Sequence, residues 1–212
     1  MKDNLLIEAK DYSARLPLYD NKKKIDFGYY SEELCCTESK VCLYHVDDEY
    51  YEACSSEEEN AHKELIGTIE GKCFDIIYAN NYGLSLYDVF DQEDADTSSL
   101  IPYLLDNNGD IKDEYYSIYS NVYYLDRIEI QDKYKGKGYA KFLLNNLEEI
   151  LMYVAKINFG IIIIQAQPFD RVNGQCIMDY KDKKRMERLV KLYEDAGFKR
   201  IGKSNYLISI NE

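Results

Sequence analysis

A chain of 212 residues, 46% of them hydrophobic, suits one domain with a sizeable core and leaves room for an extension. The net charge of −13 argues against nucleic acid as a partner, because phosphate-backbone binding needs clustered Lys and Arg. No stretch is long and apolar enough to span a membrane, and Met-Lys-Asp-Asn at the start lacks an export signal's apolar run, so the expected location is cytoplasmic.

The six cysteines (Cys35, Cys36, Cys42, Cys54, Cys73, Cys176) are irregularly spaced and form no C-x-x-C pair. With His45 and His62 as the sole histidines, no metal site is expected, and the cysteines read as reduced thiols filling the core. The acidic charge reads first as a solubility feature and second as an attraction for a cationic amine.

In chain order, Asn4 to Asp20 alternates loosely as an opening strand, and Val41 to Tyr51 reads as a second strand entering an acidic turn. Ser55 to Lys63 reads as a solvated loop or short helix. Leu65 to Ala79 holds two apolar runs around Gly71 and predicts paired or kinked strands. A short helix is predicted over Ser98 to Leu105. The following Asp106 to Asp110 reads as a turn, because a calcium loop would need Gly where Ile111 stands and Glu where Ser117 stands.

Asn121 to Gln131 predicts a strand with apolar residues at Leu125, Ile128 and Ile130. A helix follows from Gly138 to Ile157, with an apolar face of Phe142, Leu143, Leu147, Ile150, Leu151 and Val154. Gly160 to Ala166 has the pattern of a strand buried on both faces. A second amphipathic helix spans Asp182 to Ala196 and stops at Gly197, and Phe198 to Ile210 supplies one or two closing strands. Residues 1–60 form N-terminal strands and an acidic segment, part of or an extension to the domain of residues 61–212.

Between the Asn121 strand and its helix lies Tyr134-Lys135-Gly136-Lys137-Gly138-Tyr139-Ala140. A loop at a helix start leaves backbone N–H groups unpaired, and glycines let an anion approach them. Lys135, Lys137 and Lys141 add positive charge in an acidic chain. A Walker loop would need Gly at Lys133, and a dinucleotide fingerprint would need Gly at Lys141. A plain Lys/Gly turn is the alternative.

Lys135-Gly136-Lys137-Gly138-Tyr139-Ala140 resembles the Arg/Gln-x-x-Gly-x-Gly/Ala motif of the GNAT superfamily of N-acetyltransferases, with Lys135 departing from Arg or Gln. Leu192-Tyr193-Glu194-Asp195-Ala196-Gly197-Phe198 resembles the same superfamily's Leu-Tyr-x-x-x-Gly-Phe. Met186 and Leu189 stand where the family often has Asn and Ala. The usual pair of helices after the first strand is not evident. The resemblance covers residues 121–210. Leu86 to Asp91 is also similar to a segment of an uncharacterised branch.

The resemblance implies a mixed α/β fold: a mostly antiparallel sheet with one splayed parallel pair, flanked by helices. It implies acetyl-CoA as co-substrate, held by Lys135, Gly136, Lys137, Gly138, Tyr139, Ala140 and Lys141, with the backbone at Ile128 and Ile130 pairing with the pantetheine arm. A backbone N–H near Ile130 would polarise the thioester carbonyl. Tyr193 would be the general acid, or else a packing residue between helix and sheet. Asp126 and Glu129 are the candidate bases. Strand alternation puts Asp126 on the face of Ile128 and Ile130, which favours it slightly. For both carboxylates a surface or Arg127-paired role reads equally well. Gln165, Gln167, Tyr123 and Tyr124 could line the acceptor cleft.

The implied reaction is acetyl transfer to a primary amine. The alternative is a non-catalytic acyl-CoA-binding or interaction protein that keeps the pyrophosphate loop. The acceptor's identity and the oligomeric state, a homodimer among the options, stay open.

Overall fold

This computed structural model describes residues 4–14, 35–115, 121–172, 175–179 and 181–211. A seven-stranded sheet is built from β1 (Leu5–Ala14), β2 (Cys36–Val46), β3 (Lys63–Phe74), β4 (Val122–Ile130), β5 (Ile161–Gln165), β8 (Lys199–Arg200) and β9 (Tyr206–Ile210). Its spatial order is β1-β2-β3-β4-β5-β9-β8. Every neighbouring pair is antiparallel except β4 and β5, which run parallel. The first two strands are therefore hydrogen-bonded into the same sheet as the motif strand. The expected strand runs to Ala14. Residues 15–20, and the place where the family's helix pair would follow, lie outside the described residues, as does the side chain of Cys176.

Helices cover both faces. On one face lie α6 (Tyr139–Asn145), α7 (Leu147–Glu149), a π-helical turn over Ile150–Val154 and α8 (Lys183–Glu194), which pack Leu143, Leu147, Leu151, Val190 and Tyr193 against Tyr123, Leu125, Ile162 and Ile164. On the other face lie α2 (Ile76–Asn81), α3 (Leu86–Asp91), α4 (Ala95–Ser98) and α5 (Ile101–Leu104), which pack on Val122, Tyr124, Ile161 and Ile163. Alternation sends successive isoleucines of β5 into opposite cores, so all four are buried, as the apolar run predicts. α1 (Ser56–Ala61), on the acidic segment, is a solvated turn capped by the Ser55 hydroxyl, which accepts the Glu58 amide.

Several sequence expectations need correction. The stretch from Leu65 is one strand, β3, followed by helix α2, because the side chain of Asp75 caps that helix by accepting the Tyr78 amide. What replaces the expected kink at Gly71 is a register shift between Glu70 and Gly71. The long motif helix breaks at Asn146, whose side-chain amide donates to the Phe142 carbonyl at 2.7 Å and competes with the backbone ladder. It resumes as α7 and ends in the π-turn. Phe142 lies off the buried stripe and is exposed. Residues Phe169–Val172 (β6) and Gln175–Met178 (β7) form a separate antiparallel hairpin, which the reading of the sequence omitted.

Candidate functional site

The site starts at a fault in β4. Its pairing with β3 jumps from Gly71↔Leu125 to Glu70↔Arg127, which leaves Asp126 as an extra, bulged residue. The bulge reverses the phase of the strand. Tyr123 and Leu125 enter the helix-α6 core before it, and Ile128 and Ile130 pack against the same core after it. Asp126 is therefore not simply in step with Ile128 and Ile130, as uninterrupted alternation would have it. Tyr123 is fully buried, with its hydroxyl 2.9 Å from Ser39 Oγ on β2, and takes no part in the cleft.

Parallel pairing of β4 with β5 ends at the same place. The last partners are Leu125 and Ile164, after which Gln165 pairs only with Tyr206 of β9. The chain then follows β9 away, with the Ala166 amide on the Asn205 carbonyl at 2.7 Å. On the opposite side, Gln131 donates its amide to the Ile66 carbonyl at 2.8 Å, towards β3. Alternation then turns the amides of Ile128 and Ile130 the other way, into the gap that β5 leaves. The two parallel strands part beside a glycine loop that opens a helix. This is the mixed, mostly antiparallel sheet with one splayed parallel pair that the GNAT resemblance implies.

No family model and no curated protein matches the chain. Among solved structures it is similar to a tyrosine-to-phenylalanine mutant of KacT, at 13% identity and a TM-score of 0.38, over 82% of this chain and 71% of that one. NAA60 of Arabidopsis thaliana, in complex with a bisubstrate analogue, is similar at 14% identity and a TM-score of 0.37, over 82% and 77% of the two chains. AtaTR bound with AcCoA is similar at 12% identity and a TM-score of 0.38, over 99% and 94%.

The gap opens into a cleft of about 790 Å³ that reaches both faces of the sheet. From the helix-α8 side it is lined by Ile128, Ile130, Leu189, Leu192 and Tyr193, and from the other side by Tyr124 and Asp126. Gln165 and Gln167 line it at the end of β5, and Glu129 lies along it. Of the residues expected from the motif strand and the tyrosine helix, Tyr124, Asp126, Ile128, Glu129, Ile130 and Tyr193 thus meet in one place, and Tyr123 does not. A second cavity of about 820 Å³, lined by Thr37, Cys73, Asn121 and Lys156, has neither splayed strands nor a glycine loop.

At one mouth stands the loop. Gly136 has φ 76° and Gly138 φ 89°, and an added Cβ at either would meet nothing within 4 Å. The requirement for glycine is therefore conformational: the left-handed backbone, which other residues adopt at a cost, bends the chain so that α6 begins at Tyr139. Lys135, Asp132 and Gln131 line the mouth. Lys135 is ion-paired to Asp132 at 2.5 Å, and Lys137 sits 5.0 Å over the Tyr134 ring. Lys135 of the loop and Arg185 and Arg188 of α8 bring cationic side chains to the cleft wall, Lys135 and Arg185 each paired with a carboxylate that also lines it. Open left-handed glycines, cationic side chains and a helix start fit a diphosphate.

Reading of the sequence missed Arg185, Arg188, Phe169 and Asp170. Arg185 holds Asp170 in a bidentate pair, with both contacts at 3.0 Å, and also donates to the Phe169 carbonyl at 3.0 Å, which fastens the β6–β7 hairpin to α8. Phe169 and Met178 then close one wall of the cleft. Asn173-Gly174, flanked by short alternating runs, is the hairpin signal that could have found this wall.

The electrostatics divide the cleft. Tyr193 is almost wholly buried, its ring tilted against Phe198 at 6.2 Å, and its hydroxyl has no hydrogen-bond partner among the described residues. Desolvation pushes its phenol above the ordinary range, so it stays protonated at neutral pH. Asp126 is pushed up by desolvation against the pull of Arg127, whose guanidinium lies 3.0 Å from its carboxylate.

Proposed function

We propose that this protein transfers the acetyl group of acetyl-CoA to a primary amine. The observation that carries the reading is the meeting, in one cleft, of the splayed β4 edge, Lys135 at the start of the glycine loop and the unpartnered Tyr193 hydroxyl. In this reading the loop amides and lysines hold the diphosphate. The pantetheine arm lies along Ile128 to Ile130 as a substitute for the missing β5 edge, satisfying backbone groups turned into the gap.

The amine nitrogen attacks the thioester carbonyl, whose developing oxyanion is met by a β4 amide near Ile130. The C–N bond forms, the C–S bond breaks, and the sulfur takes the proton of Tyr193. The environment that keeps Tyr193 protonated also disfavours a thiolate, so the proton is drawn to sulfur. Asp126 takes the nitrogen's proton, and solvent returns one to Tyr193. Asp126, held near the transfer point with a raised pKa, suits the base role better than Glu129.

The test is Tyr193→Phe, assayed by thiol release from acetyl-CoA against a panel of primary amines. The hydroxyl makes no bond among the described residues, so its loss costs little packing. Turnover should fall by about 100-fold or more, as for loss of a general acid, while acetyl-CoA binding stays within about threefold. Unchanged turnover in this variant would remove Tyr193 from the chemistry. No turnover by the wild type with acetyl-CoA bound would leave a coenzyme-binding protein in place of an enzyme.

A further inference from the structure

Lys135 and Arg185 line the same cleft, and each is already engaged by a carboxylate that lines it too. Lys135 pairs with Asp132 at 2.5 Å, and Arg185 holds Asp170 through two bonds of 3.0 Å. A carboxylate in a two-bond fork on a guanidinium occupies the place that two oxygens of a phosphate take. The start of α8 also carries more positive charge than its own structure accounts for. Beyond its cap Asp182, the helix opens Lys183-Lys184-Arg185 with no acidic residue in the first turn. Cations at that end oppose the helix dipole, and an anion placed there relieves the conflict. Arg185 holds the Asp170 carboxyl below the ordinary aspartate range and Lys135 adds to the pull, so loop and hairpin lie within electrostatic reach of each other.

Both pairs are poised to exchange. The side chains of Asp132 and Asp170 are 94% and 59% exposed, so either carboxylate regains water on release, and exposed pairs are weak. A diphosphate brings more charge and several acceptor oxygens to both cations at once. The exchange has a mechanical side. Arg185 makes all three hydrogen bonds that join β6–β7 to α8 among the described residues, two to Asp170 and one to the Phe169 carbonyl. When the guanidinium turns to a phosphate, the hairpin that walls the cleft loses them.

We propose that Arg185 is a diphosphate ligand held in reserve by Asp170 in the free chain, and that its change of partner unfastens the β6–β7 hairpin. That the diphosphate belongs to acetyl-CoA rests on the acetyl-transfer reading; the exchange itself needs only a diphosphate.

The test reads the two halves of one ion pair separately. The full-length chain is titrated calorimetrically at low salt with acetyl-CoA, with inorganic pyrophosphate, and with S-acetylpantetheine, which has the thioester arm but no diphosphate. Arg185→Ala should weaken binding of acetyl-CoA and pyrophosphate about tenfold, and Asp170→Asn should tighten it about threefold, with S-acetylpantetheine unaffected by either. The chain has no tryptophan, so Ile177→Trp, at a half-exposed position on β7, gives the hairpin a single reporter. Its fluorescence anisotropy should fall on adding acetyl-CoA or pyrophosphate, and should already be low in the free protein when Asp170→Asn is combined with it. Circular dichroism checks that each variant is folded. Changes of the same sign in the two variants, equal changes with S-acetylpantetheine, or constant anisotropy with acetyl-CoA bound overturn the exchange and leave the transferase reading standing. Opposite signs with pyrophosphate but no binding of acetyl-CoA keep the exchange and sink that reading. Binding of neither sinks both.

Discussion

Gly71→Ala is the most quantitative test of how β4 is held. A Cβ at Gly71 would lie 2.4 Å from the Tyr123 hydroxyl oxygen, 2.6 Å from its Cζ and 2.6 Å from the Tyr124 carbonyl. The Tyr123 side chain crosses β3 above this glycine to reach Ser39 on β2, and it is wholly buried, so it has no room to swing aside. Relief needs a shift of about 1 Å in a packed core, which costs about 1–3 kcal/mol. Loss of the Ser39–Tyr123 hydrogen bond adds about 1 kcal/mol. Lower unfolded-state entropy returns about 0.4–1 kcal/mol, leaving a net destabilisation of about 2–3 kcal/mol. For a chain of this size that is a fall in Tm of about 4–12 °C. Urea unfolding followed by circular dichroism measures it, with an unchanged m-value showing that the loss belongs to the native state. A loss below about 0.5 kcal/mol would refute the argument, since it would mean that Tyr123 moves freely off the glycine.

Gly67→Ala places a Cβ 2.6 Å from the Glu129 carbonyl and 2.7 Å from the Ile130 Cδ1, so it should weaken acetyl-CoA binding several-fold as well as lower stability. Calorimetry on the folded variant showing wild-type affinity would separate the β3–β4 register from coenzyme binding. Asp132→Asn releases Lys135 from its ion pair and should tighten acetyl-CoA binding about two- to threefold at low salt, with the gain shrinking as salt is added. Weaker binding would count against Lys135 as a phosphate ligand. Asp126 has a raised pKa, so the native state holds its proton more tightly than the unfolded chain does, and stability falls as pH rises from the ordinary aspartate range through the native value. Asp126→Asn should therefore be more stable than wild type at pH 7, with the difference fading towards pH 3. Urea midpoints showing no difference at pH 7 would mean that Arg127 fully offsets the desolvation of Asp126.

Much of this architecture is legible in the sequence because its causes are local. Four consecutive isoleucines announce a strand covered on both faces, and Leu192-Tyr193 before Gly197-Phe198 fixes the tyrosine helix and its end. Lys135 to Ala140 marks the loop by glycine spacing alone. The bulge at Asp126 is different. VYYLDRIEI reads as one even strand, and its phase change depends on how Gly67 and Gly71 of β3 let β4 approach, a matter of partner and register. The same holds for Phe142. It fits the apolar helical spacing, yet its position on α6 puts it at the rim of the cluster that Leu143 and Leu147 fill. Tyr123 and Tyr124 are adjacent and chemically alike, and only the sheet decides that one fills a core while the other borders the cleft.

The extra residue in β4 makes the cleft a dislocation in an otherwise regular lattice of strands. Before it the strand pairs on both edges; beyond it one edge is left without a neighbouring strand. A deletion of Asp126 would bring Ile128 into step with Leu125 and let β4 run flush with its neighbours. Leu125 and Ile128 face the same core because one amino acid between them is surplus to the weave.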